Sequence, residues 1–139
     1  MKNTIVRTLV TLGLSAVLSP VALLAQGPIH ATIPFEFTVG SKSFHAGDYS
    51  VKQISEGVLL IQSRTGGAGV ITMVLPSEKT AMAGNPVLTF NKYGSSYFLA
   101  KVSCDDRGWK LNKSRLEKEM IAQATSPKPV IVAAAVQTK

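Results

Sequence analysis

The sequence predicts an all-β domain, an antiparallel sandwich or barrel of about six to seven strands with one C-terminal helix. Three observations predict it. Apolar and polar residues alternate with period two in several stretches, beginning with Ile33, Phe35, Phe37 and Val39. Gly- and Pro-containing turns separate these stretches at short intervals. The clearest helix start is Ser114, followed three residues later by Glu117 in a capping-box pattern.

The chain opens with a segment of a different kind. Lys2 and Arg7 precede a stretch from Leu9 to Leu24 without any ionisable side chain. A basic start, an apolar core and a small residue at the cut form a secretory signal peptide, placed at residues 1–25. Cutting after Ala25 is preferred. Cutting after Gly27 also gives a small-x-small pattern, but sets Pro28 beside the cut. Thr, Gly, Ser and Pro interrupt the apolar core, and a spanning helix needs about 20 apolar residues. The expectation is therefore a secreted or periplasmic protein with no membrane span after cleavage.

Residues 26–125 are read as one β-rich domain, including a helix over 114–124, with residues 126–139 as a tail. The first strand is Ile33 to Val39, where Pro34 marks an edge position or a strand start. Gly40-Ser41-Lys42 is a turn. Ala46-Gly47-Asp48 is a second, and it launches Tyr49 to Ile54. Ser55-Glu56-Gly57 makes a hairpin into Val58–Arg64. The glycine-rich turn Thr65 to Gly69 leads to Val70–Leu75, a strand by its branched residues. A polar loop from Pro76 to Asn85 precedes Val87–Asn91. Lys92 to Ser95 turns into Ser96–Val102. Trp109–Leu111 is a short strand or an extended link.

In the helix, Leu116, Met120 and Gln123 share one stripe with Ile121 beside it, and Arg115 with Glu119 forms an i, i+4 pair. It is expected to cover one open end or edge of the sheet. The Val- and Ala-rich tail is a final strand, a flexible end, or a segment donated to a partner.

Composition narrows the function. The leader carries two of the 15 basic residues and none of the 8 acids, so the mature chain stays basic at +5. Its lysines and arginines are scattered along the strands, and export makes nucleic acid an improbable partner. Cys104 is the single cysteine, which excludes an internal disulfide. It is read as buried, with an intermolecular disulfide as the alternative.

No catalytic constellation is expected, and no cofactor or metal. Gly66-Gly67-Ala68-Gly69 lacks the Lys-Ser/Thr and helix start of a phosphate loop. His45 and Asp48 at a turn are too few for a metal site, and His30 lies apart from them. Asp105-Asp106 lacks the spaced acids of a calcium loop. No Gly-x-Ser-x-Gly elbow occurs. Pairs such as Glu36 with Asp48 arise by chance in any β protein. Most aromatic residues fall where a core is expected. Tyr93 and Trp109 lie near turns and are the candidate ligand-binding rings.

Four segments together resemble an uncharacterised family of small exported bacterial β-rich proteins. They are Pro34-Phe35-Glu36-Phe37-Thr38-Val39-Gly40, His45-Ala46-Gly47-Asp48-Tyr49-Ser50-Val51, Leu88 to Gly94 with Tyr97-Phe98-Leu99, and Lys113-Ser114-Arg115-Leu116-Glu117-Lys118-Glu119. His45 stands where that family's turn carries Pro. The resemblance implies an envelope or extracellular β domain and transfers no catalytic residue.

Two functions follow as expectations. The first is a non-enzymatic interaction or structural module whose partner is itself or an envelope component, assembling through strand edges or the tail. The second is a binder or carrier of a small apolar or carbohydrate ligand, held in a groove near Tyr93 and Trp109.

Overall fold

A computed structural model describes residues 27–78, 85–105, 107–123 and 126–136. The leader at residues 1–25 lies outside the described residues, as does the preferred cut after Ala25.

The domain is all-β with one short helix, and its strands are β1 (Ile29–Ile33), β2 (Phe37–Val39), β3 (Lys42–Phe44), β4 (Gly47–Ser55), β5 (Val58–Ser63), β6 (Gly69–Ser77), β7 (Val87–Tyr93), β8 (Ser96–Cys104), β9 (Arg107–Leu111), β10 (Lys128–Ala133) and β11 (Ala135–Val136). The helix, α1, is Arg115–Ala122. The sheet has 11 strands rather than six or seven. Pro34 splits the expected first strand into β1 and β2, because it has no amide to give a ladder. Lys42 belongs to β3 rather than to a turn, and the tail supplies two more strands.

Nor is the sheet purely antiparallel. Thr38 of β2 lies parallel to Phe98 of β8. This pairing is possible because β9 pairs only with the second half of β8, Lys101 to Cys104. The β2–β3 hairpin takes the vacant flank of the first half.

The main strand order is β10-β7-β8-β9-β6-β5-β4-β1-β11. Its two ends belong to one segment, since only Ala134 separates β10 from β11. Residues 128–133 pair with β7 and residues 135–136 pair with β1, so the C-terminal segment joins the two ends of the path. At the junction the Ala134 amide donates to the Pro86 carbonyl across 2.9 Å, so the backbone stays satisfied through the break. β6 makes a similar crossing, pairing with β5 over Gly69–Met73 and with β9 over Val74–Ser77. Strands that change partners partway are how packed sheets turn corners.

Inward residues of alternating strands form one core that includes Ile33, Val51, Leu59, Ile61, Phe90 and Val102. One end of this interior is filled by rings. Phe37 packs edge-on against Tyr49 at 4.9 Å and Phe90 at 5.4 Å, and stacks with Phe44 at 5.3 Å. Phe35 stacks on Tyr97 at 3.9 Å. Such pairs add about 0.5–1.5 kcal/mol each beyond their buried area. The short β2–β3 hairpin thus acts as an aromatic plug.

The helix lies at the same end. Ser114 is its N-cap, and its Oγ accepts from the Glu117 amide at 3.2 Å. The Glu117 carboxylate is turned onto β7, where it accepts from Asn91 Nδ2 at 3.1 Å and from the Tyr93 hydroxyl at 3.0 Å. This reverses the expected helix face. Glu117 is 4% exposed, whereas Leu116 of the apolar stripe is half exposed. Arg115 and Glu119 do form their i, i+4 pair at 3.0 Å, in solvent where it contributes little.

Candidate functional site

Among the described residues, the opposite end of the interior is open. It is formed by the start of β1, the β4–β5 turn, the end of β6 and the β8–β9 turn. A cavity of about 740 Å³ occupies it. Ile29, Val51, Leu59 and Trp109 supply apolar wall, and Gln53, Glu56 and Ser77 supply polar lining.

Local sequence explains the opening. Gly57 turns the β4–β5 hairpin with a φ of 71°, a conformation that favours glycine. A bulge between Gln53 and Ser55 displaces the end of β4 from a regular ladder. On the other wall, the β6 carbonyls crowd Gly108. A Cβ there would meet the Ser77 oxygen at 2.6 Å and the Glu78 oxygen at 2.7 Å, so only glycine fits. The close approach sets Trp109 opposite Pro76 and Val102, with its ring turned to the cavity side of the sheet.

The two candidate rings are thus separated. Trp109 lines the cavity, but it is 8% exposed rather than a free surface ring. Tyr93 is 1% exposed and belongs to the plugged end. Burial, then the hydrogen bond and negative charge of Glu117, push the Tyr93 phenol up to about 12. Tyr93 therefore serves as a neutral donor inside the fold. Nearness to a turn does not set the side of the strand from which a ring projects, so one of the two near-turn rings is enclosed and the other lines the cavity.

Cys104 is buried, and it also lines the cavity. Its thiol lies 3.8 Å from Asp105 Oδ2. Tyr49 donates to the His45 carbonyl at 2.6 Å, and Thr32 donates to the Asp48 carboxylate. The turn holding His45 and Asp48 is therefore occupied by local hydrogen bonding. Among the described residues, no three His, Cys, Asp or Glu side chains gather as a metal site would require. Among them too, no helix is long and apolar enough to cross a membrane.

Sequence reasoning missed most of the cavity. Its lining comes from several separated segments, and none carries a local motif. It also missed a feature of β6. Val70-Ile71-Thr72-Met73-Val74-Leu75 is apolar at both parities, which is the pattern of a strand covered on both faces. That signal could have shown that the outward residues lack a cover. Compared with protein-family models, curated proteins and solved structures, the chain matches none of them.

Proposed function

We propose that the protein is an exported, non-catalytic binding module that takes a small ligand with an apolar body into the cavity beside Trp109. The cavity carries this reading. Its volume of about 740 Å³ falls in the range of small-molecule sites, and the mouth of a closed strand path is a common place for one. Apolar wall with a few polar groups at the turn fits a ligand that buries its body and keeps a polar end near solvent. Among the described residues, the aromatic plug fills the opposite end. Assembly through a donated tail has less support, because Lys128–Val136 already pair within their own chain.

Trp109 is the only tryptophan and therefore a direct reporter. Titration with fatty acids, envelope lipids and glycans should shift its emission saturably for one of these classes. Val51→Phe, which narrows the cavity wall, should remove the response while leaving the circular dichroism spectrum in place. A flat response across all three classes overturns the reading.

A further inference from the structure

We infer that the outer face of β5 and β6 docks the protein on an anionic lipid bilayer. Ile71, Met73 and Leu75 follow one another along the outside of β6 and are 63%, 74% and 54% exposed. Residues opposite one another in an antiparallel ladder project to the same side. Val58 faces Met73, and Leu60 faces Ile71, so the apolar stripe widens onto β5. A contiguous apolar face of this kind on a small domain marks a surface that meets something.

The charges around the stripe identify the occupant. Beyond Leu60 the same row ends on Lys52 of β4. Beyond Leu75 it continues to Lys110 of β9 and Lys101 of β8. At the start of β6, the Lys42 ammonium lies on the Gly69 carbonyl at 2.8 Å. Neither β5 nor β6 carries an acidic residue. On β4 the one acid, Asp48, is engaged by Thr32, and Glu56 sits in the β4–β5 turn. An apolar stripe bordered by lysines matches a leaflet that offers acyl chains beneath anionic headgroups, and these two signals together make stable peripheral binding. A second copy of the chain, laid face to face, would set lysine borders together with only Glu56 in the adjoining β4–β5 turn to meet them. Ile54, exposed on β4, also lines the cavity, so the docked face adjoins the entrance; the docking stands whether or not the cavity holds a ligand.

The test is co-sedimentation of the processed protein, its N-terminus fixed by mass spectrometry, with vesicles of phosphatidylcholine alone or mixed with phosphatidylglycerol. Binding should require phosphatidylglycerol and weaken with salt. Ile71→Ser with Met73→Ser should lower it by at least ~10-fold, as two exposed apolar anchors are lost. Lys52→Gln and Lys110→Gln should each lower it ~5-fold. The lysine variants alter only exposed side chains, so they report even where the apolar pair impairs folding. Three results would overturn the inference. They are no binding to phosphatidylglycerol vesicles, binding that none of the variants changes, and a dimer in light scattering that Ile71→Ser with Met73→Ser dissolves.

Discussion

Tyr93 donates its phenolic hydrogen to Glu117 across 3.0 Å, in a part of the interior where both side chains are almost wholly removed from solvent. This contact, with the one from Asn91, holds the helix to the end of β7. It replaces the apolar docking that a short amphipathic helix would normally use.

Removing either partner should therefore cost more than an average surface change. Tyr93→Phe keeps the ring and deletes one hydrogen bond to a charged group, a loss of about 1.5–3 kcal/mol. Glu117→Ala leaves the buried Tyr93 hydroxyl and the part-buried Asn91 amide unmet and should cost more. Urea denaturation of both single variants and the double variant gives the coupling. Additive losses would mean that the contact contributes nothing.

The same pair predicts weakness at high pH. The folded phenol is raised to about 12, above its ordinary value near 10. Its contribution is complete below the unfolded value and is lost as pH rises through the folded one. The slope in that window is about 1.4 kcal/mol per pH unit. Burial raises Tyr49 too, in the same direction. Thermal melts should fall steeply above pH ~10. Tyr93→Phe, although less stable at neutral pH, should show a shallower decline, and an equal decline would remove Tyr93 as the cause.

Truncation after Pro127 should damage the monomer itself. It removes the ladder from Val130 to Phe90 and the link from Val136 to Ile29, and it bares the edges of β7 and β1. The melting midpoint should drop by at least ~10 °C, and bared edges should promote aggregation. A truncated chain with an unchanged midpoint would show that the closing segment adds no stability.

Cys104 should be slow to alkylate. It is buried at the end of β8 behind the β8–β9 turn. Iodoacetamide labelling followed by mass should be sluggish in buffer and rapid in denaturant. Immediate labelling in buffer would show that the cavity admits reagents freely, and would favour intermolecular disulfide formation.

Much of the core was legible in the sequence. Ile33, Phe37 and Val39 stand at the parity that the alternating pattern assigns inward, and they are buried. Ser114 caps the helix as its pattern predicts. What was not legible depends on long-range placement. Glu117 carries the residue type of a capping box, yet its carboxylate goes to a strand distant in sequence. Tyr93 and Trp109 both sit near turns, and only register separates the plugged end from the open one. Leu116 looks like a core position and is exposed, because a buried polar contact at Glu117 sets the rotation of the helix instead.

The joining segment also has a consequence in time. It holds the last two described strands in sequence, and the second of them pairs with β1, the first described strand. Contacts between such distant parts of a chain are slow to form, because loop-closure entropy must be overcome before they stabilise anything. The outer edge of β1 therefore stays open until residues 135–136 reach it, although β1 and β4 can pair much earlier.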